Sequence, residues 1–349
     1  MSSSNHVMGR DGTVLGIADV RRAADLIKRS KLLVRTPLVC CVELSQQLGI
    51  ELYLKLENMQ RTGAFKIRGA LVKLLALSDE QRTRGIIATS TGNHGRGIAF
   101  LGNHFGIPAT VVLPATTPKV KETAIAAEGA RVIRHGATYA EAEEYAYELA
   151  ESEGLTYIHS FDDADVIAGQ GTIALEILED LPDADMLIVP VGGGALLAGS
   201  LLIARELRPS LKVIPVEAEG APALTHSLAA NQLKRLPNVN TLADGMAVCQ
   251  PGQLCYELAR EWLTEGITLV SDDDMAHAVW LLATRAKIVA EFAGAAALAA
   301  LLSGKVKPSS HAKVVCVVSG GNIEPQLMAT ILARGKIVAN ETDERVVHH

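Results

Sequence analysis

Apolar residues recur along the chain in two rhythms that take turns. Short β-branched runs occur at GIIATS (85–90), ATVVLP (109–114), ARVIRH (130–135), DMLIVPV (185–191), KVIPVE (212–217) and KVVCVVS (313–319), each the length of one strand. Between them apolar positions return every three or four residues, as at Ile67, Ala70, Leu71, Leu74 and Leu75, the spacing of a helix that buries one face. Such alternation predicts an α/β fold with open, twisted, mostly parallel sheets and helices on both faces. The chain has 349 residues, more than one ordinary core, so two domains are expected. The densest alternation fills 85–162, which reads as a smaller domain inserted into a larger one built from 1–84 and 163–349.

Three strands run directly into glycine-rich turns that open helices: IIATS into TGNHGRG, LIVPV into GGGALLAG, and VVCVVS into GGNIEP. Ligands of open α/β sheets bind at the carboxyl ends of strands, so the three turns are expected to line one crevice. At Gly192, Gly193 and Gly194, closed by Ala195, side chains are absent and successive backbone N–H groups can face one anion, a phosphate fitting best. A tight strand-to-helix turn is the plainer alternative. In STGNHG, Asn93 reads as the N-cap of the next helix, and the exposed N–H groups and hydroxyls suit a carboxylate. Ser319, at the end of the last strand, either presents its hydroxyl to a ring nitrogen or caps the following turn.

Composition narrows the class. The net charge is -6 with no block of like charges, which argues against a nucleic-acid partner. Five cysteines, Cys40, Cys41, Cys249, Cys255 and Cys316, form no CxxC pair, so neither a disulfide framework nor a zinc ribbon is read. The opening MSSSNHVMGRDG lacks a signal-peptide core, and the longest apolar run, AGAAALAALL, is too short for a bilayer; a cytoplasmic protein without membrane contact is expected. The closing VVHH is not read as a metal site. GQGTIA (169–174) matches a dinucleotide fingerprint but follows no good strand, and GxxxxGK[ST], HExxH and GxSxG are absent from the sequence.

Lys66 is the unexpected residue. The helix of the Ile67 stripe is expected to start near Gly63 or Ala64, which places Lys66 in a first turn where the macrodipole disfavours a cation. Burial beside Phe65 and Ile67 would depress its pKa further, and a neutral lysine is a nucleophile able to form a Schiff base. A solvated lysine near a helix end is the ordinary alternative, and this stretch alone does not decide between them.

Together the segments TPL, LKLENMQRTGAFKIRGA, STGNHG, FDDADVIAGQGTIALEI, VPVGGGALLAG, EFAGAAALAALL and VVSGGN resemble, over roughly residues 17–335, the serine/threonine dehydratase and serine racemase group of fold type II (tryptophan-synthase-β-like) pyridoxal-phosphate enzymes. The resemblance implies pyridoxal 5'-phosphate in the interdomain cleft, with Lys66 as its Schiff-base lysine and Phe65 against the ring. It implies Asn93 at the phenolic oxygen, Gly192, Gly193, Gly194 and Ala195 around the phosphate, Ser319 at the pyridine nitrogen and Glu291 as a further cofactor contact. Ser90, Thr91, Gly92, Asn93 and His94 would grip the substrate carboxylate, with Lys66 and Thr91 as catalytic residues. The implied activity is that of an ammonia-lyase converting a β-hydroxy-α-amino acid, threonine or serine foremost, to a 2-oxo acid and ammonia, in a cytoplasmic homodimer. A serine at the ring nitrogen need not keep it protonated, and the weaker electron sink suits β-elimination.

Departures from the family pattern fall around the same site. TGAFK stands for TGSFK and EFAGAA for EPSGAA. Thr91 occupies a position where dehydratases often carry alanine and racemases a serine acid/base, so amino-acid racemisation is the alternative activity, with carboxylate binding the other role for its hydroxyl. Arg96 stands where glutamine is common, similar to dehydratases of less usual β-hydroxy amino acids (3-hydroxyaspartate, phenylserine, hydroxyectoine-derived); it reads either as a partner for a second carboxylate or as a solvated helix residue. Glu217 matches one member of the family's acidic cation pair, but Ala223 stands at the other, and no metal is expected. About thirty residues follow Ser319, too few for a regulatory domain of ~100 residues.

Overall fold

The computed structural model describes residues 15–334; the opening dodecapeptide and the closing histidines His348 and His349 lie outside them. Among the described residues ten strands form two sheets: β1 (Leu38–Cys40), β2 (Glu51–Leu56), β3 (Ile86–Thr89), β4 (Ala109–Leu113), β5 (Arg131–Arg134), β6 (Thr156–Tyr157), β7 (Met186–Pro190), β8 (Lys212–Ala218), β9 (Thr268–Val270) and β10 (Lys313–Val318). The larger sheet has the order β1-β2-β10-β7-β8-β9 and is parallel except for β1, which runs antiparallel to β2; the smaller, β5-β4-β3-β6, is parallel throughout. β3, β4 and β7 are buried along their whole length, as expected of parallel strands covered on both faces. That is why they stand out in the sequence as unbroken apolar runs.

Four strands carry no such signal. β1, β6 and β9 are two or three residues long, and β2 contains the fully buried Lys55. Its ammonium donates to the Thr36 carbonyl at 2.7 Å and to Glu176 Oε2 at 2.6 Å.

The long helix Ala164–Asp180 holds the fold's central contacts. Gly69 of the helix Ile67–Leu75 lies so close to it that a Cβ added at Gly169 would meet Gly69 Cα at 2.6 Å; on the far side, a Cβ at Gly199 of the helix Ala195–Leu207 would meet Gly171 N at 2.5 Å. The glycines of the supposed dinucleotide fingerprint are therefore helix-crossing residues. They clamp the lysine helix and the helix behind the triple glycine against one common scaffold.

The lysine helix begins later than its periodicity suggests. Gly63 has φ +76°, Ala64 bridges to Gly320, and Phe65 N donates to the Ser319 carbonyl at 3.0 Å. These residues are tied to the turn after β10 and not to the helix, which starts at Ile67 with Lys66 as its N-cap.

Candidate active site

The turns after β3, β7 and β10 open onto one cleft of about 920 Å³. Phe65, Lys66, Ser90, Thr91, Gly92, Asn93, His94, Gly192, Gly193, Gly194, Ala195, Glu291 and Ser319 all line it. The parallel strands bring these turns together because their carboxyl ends point the same way within each sheet.

Lys66 Nζ donates to the Ser160 carbonyl at 3.1 Å and stands 5.4 Å from the centroid of the Phe65 ring and 5.9 Å from that of Phe161. Among the described residues no carboxylate pairs with it. Burial without a counter-ion pushes its pKa down to about 8. Desolvation disfavours the ammonium, and nothing here restores it.

At the other side, the three glycines could not be anything larger. An added Cβ would meet the Phe161 ring at 2.1 Å from Gly193, the Gly245 carbonyl at 2.7 Å from Gly192 and Cys255 Cβ at 2.7 Å from Gly194, whose φ is +101°. No side chain caps the helix Ala195–Leu207 behind them, so its first N–H groups are open to a cleft ligand.

In the third turn the expectation for Asn93 needs correction. Gly92 is the N-cap of the helix Asn93–Phe105 and Asn93 is its first residue; the asparagine side chain instead donates to Glu291 Oε1 at 2.6 Å and accepts from Asn322 Nδ2 at 2.6 Å. A side chain that reaches across to the larger sheet cannot also fold back onto its own helix. His94 is buried, with Nε2 3.0 Å from the Ile158 carbonyl, and desolvation followed by the field of Lys66 lowers its pKa to about 3. It is thus a neutral ring that donates to a backbone carbonyl. Desolvation raises the Glu291 carboxyl to about 7, against the hydrogen bond from Asn93. Ser319 is buried and its hydroxyl donates to the Ala293 carbonyl at 3.2 Å; a hydroxyl hydrogen rotates, so the same O–H can turn to an acceptor in the cleft.

Two contributors escaped the sequence reading. The loop from His159 to Asp162 wraps Lys66: Ser160 supplies a carbonyl, Phe161 packs its ring against Lys66 and Gly193, and His159 Nδ1 accepts from the amides of Phe161 and Asp162 at 3.2 and 2.8 Å. Its part is played by backbone and by one aromatic ring; Phe161 opens the segment FDDADVIAGQGTIALEI, but nothing in those letters says that it meets Lys66. Asn322 was visible as the last letter of VVSGGN, but its role arises only from contacts far apart in the chain. Arg96, for its part, is hydrogen-bonded to Asn322 Oδ1 at 2.6 Å; it is not merely a solvated residue. Glu217 accepts from the amides of Leu224 and Thr225 and from the Thr225 hydroxyl at 2.8, 2.9 and 2.7 Å, so both carboxylate oxygens cap the helix Ala223–Ala229.

Comparison with known proteins decides the family. The profile of the pyridoxal-phosphate dependent enzymes matches residues 30–320. The chain belongs to that family. It is 42% identical to an L-threonine ammonia-lyase of Thermotoga maritima over 93% of this chain and 80% of the relative, and 41% identical to a catabolic L-threonine dehydratase of Staphylococcus aureus over 99% of both. Among solved structures it is similar to maize serine racemase, with a TM-score of 0.85 and 33% identity over 91% of this chain and 97% of that one. The two-domain α/β fold and the pyridoxal phosphate cofactor follow from this membership.

The cleft of this family member fits its cofactor on physical grounds. It combines an amine without a counter-ion, a phosphate-sized cradle kept free of side chains, and a helix N-terminus that favours an anion.

Proposed function

We propose that this family member is an ammonia-lyase that converts a β-hydroxy-α-amino acid, with threonine or serine as the leading substrate, to a 2-oxo acid and ammonia. The observation that carries the reading is Lys66: a cleft amine with a pKa of about 8, held by the Ser160 carbonyl between the glycine cradle and the STGNH turn. The relatives named threonine ammonia-lyase and dehydratase support the same choice.

Lys66 would bind the cofactor through its amine, Phe65 would cover the ring, and Gly192, Gly193, Gly194 and Ala195 would hold the phosphate through backbone N–H groups. Asn93 would face the phenolic oxygen, with Glu291 beside it, and Ser319 would face the ring nitrogen. Bound pyridoxal phosphate supplies the electron sink that makes the substrate's α-proton removable. Ser90, Thr91, Gly92, Asn93 and His94 form the turn that binds the substrate carboxylate, the open amides of the helix Asn93–Phe105 favouring its charge. Lys66 Nζ then takes the α-proton, a role suited to an amine whose pKa lies near neutrality. The Phe65 and Phe161 rings flank that nitrogen at 5.4 and 5.9 Å.

Release of 2-oxo acid from a panel of threonine, serine, 3-hydroxyaspartate and phenylserine tests the reading and ranks the substrates. No release from any of them would overturn it. Thr91 lines the cleft with a hydroxyl, which favours amino-acid racemisation as the second reading; solvent deuterium incorporated with inversion into recovered substrate would establish it. The same reading takes 85–162 as the small domain and 1–84 with 163–349 as the large one, in a cytoplasmic homodimer, which sedimentation checks. No helix among the described residues is long and apolar enough to cross a membrane.

A further inference from the structure

A line of side chains crosses one side of the cleft from the smaller sheet's helix to the larger sheet's last turn. Arg96 Nη1 donates to Asn322 Oδ1, Asn322 Nδ2 donates to Asn93 Oδ1, and Asn93 Nδ2 donates to Glu291 Oε1, each at 2.6 Å. Asn322 Nδ2 also donates to the Thr62 carbonyl at 2.9 Å. All four side chains line the cleft.

An amide can be turned end for end, so the direction of such a line is set by partners that can only donate or only accept. A guanidinium is donor-only and keeps its charge in proteins. A backbone carbonyl is acceptor-only. Arg96 and Thr62 therefore leave Asn322 one orientation, with Oδ1 toward Arg96 and Nδ2 toward Asn93. Asn93 must answer with Oδ1, which turns its amino group to the Glu291 side. Glu291 cannot fix the direction from its own end. Its carboxyl, raised to about 7 by burial, can donate when protonated as well as accept when ionised. The Asn93 amino group has two hydrogens; one goes to Glu291, and the second is the donor left over for a ligand.

We propose that Asn322, oriented by Arg96 and the Thr62 carbonyl, is a positioning residue that turns the Asn93 amide so that its amino group, and not its carbonyl, faces the phenolic oxygen of the cofactor. This rests on the reading of Asn93 as the partner of that oxygen. A donated hydrogen bond favours the ionised phenolic oxygen, so the line raises cofactor affinity and lowers the pH midpoint of the bound cofactor's visible absorbance. It also gives Arg96 work other than pairing with a substrate.

The test titrates the cofactor-depleted full chain with pyridoxal phosphate and follows the pH midpoint of absorbance in the reloaded protein. Asn322→Asp changes no bond lengths to speak of but sets a carboxylate where an amino group faced Asn93. It is expected to weaken cofactor binding ~10-fold and raise the midpoint by about one unit, the effect of one hydrogen bond. Arg96→Met is expected to move both readings the same way by a smaller factor, and Arg96→Lys, still donor-only, to recover most of the loss. Asn93→Ala separates the two layers. If it alters neither affinity nor midpoint, the reading of Asn93 fails and the relay with it. If it alters both while Asn322→Asp alters neither, Asn93 keeps its role and the relay is overturned. Equal losses in Arg96→Met and Arg96→Lys would also overturn it, because donor polarity would then not be what Arg96 contributes.

Discussion

Two cations stand two residues apart at the head of one helix, Arg68 fully buried and Lys66 half-buried in the cleft, and they meet opposite fates. Arg68 points into the packed side of the lysine helix, where its guanidinium bonds both oxygens of Glu57 at 2.8 and 2.9 Å and both oxygens of Glu176 at 2.7 and 2.9 Å. Lys55 joins the same cluster through Glu176, and Thr36 and Thr172 contribute hydroxyls. Desolvation there works against the charge, but Glu57 and Glu176 outweigh it and hold Arg68 above its ordinary range. Lys66 turns the other way, into a cleft walled by Phe65 and Phe161, finds only a carbonyl, and is driven down to about 8. Burial alone does not decide what a cation becomes. A carboxylate in reach makes it a structural rivet, and its absence makes it a reactive amine.

The largest test of this contrast removes the reactive member. Lys66→Met is expected to abolish 2-oxo acid release, by ~1000-fold or more, as loss of a covalent catalytic group does. It should leave the cofactor-free protein at least as stable at pH 7. The folded pKa lies below the ~10.4 of an unfolded lysine. The folded state therefore holds fewer protons between these values, stability rises with pH across that window, and the penalty is fully present below about 8. Thermal unfolding of the variant checks the sign.

Breaking the other member should do the reverse. Arg68→Met leaves the carboxylates of the fully buried Glu57 and the largely buried Glu176 short of a cation, an uncompensated charge that costs about 3–5 kcal/mol, read by denaturant unfolding. Replacing Glu57 by Gln in the same chain should return part of the loss; a further full-sized loss would contradict the ionic account of the cluster.

A smaller effect is expected where the cradle meets the loop. Gly193→Ala drives a methyl into the Phe161 ring, 2.1 Å away, and overpacking of this kind costs about 1–3 kcal/mol, seen here as weaker pyridoxal phosphate binding with Phe161 displaced from Lys66. The smallest sharpens the contrast from outside. Arg35 pairs with Glu179 and Asp180 one residue from Thr36, but at about half exposure. Arg35→Ala should change stability by less than about 1 kcal/mol.

The same distinction explains what could be read in advance. The strands of both sheets that are buried on two faces announced themselves, and so did the three glycine turns, because a turn without side chains is a local fact. β2 did not, since Lys55 breaks its apolar pattern and its charge is balanced by Glu176, 121 residues away. The late start of the lysine helix depends on Ser319 and Gly320, which no window around Lys66 contains. Glu291 was named through resemblance alone, and its bond to Asn93 spans 198 residues. Chemistry that lies in backbone carbonyls, as at Ser160, leaves no letter to recognise.

The most direct measurement of all is to add pyridoxal phosphate, reduce with borohydride and locate the modified lysine by peptide mass spectrometry. Modification confined to the peptide carrying Lys66, with Lys55 and the exposed lysines untouched, is the expected result. Modification elsewhere, or none, would contradict the claim that a half-buried cleft lysine without a carboxylate is the cofactor-binding amine of this protein.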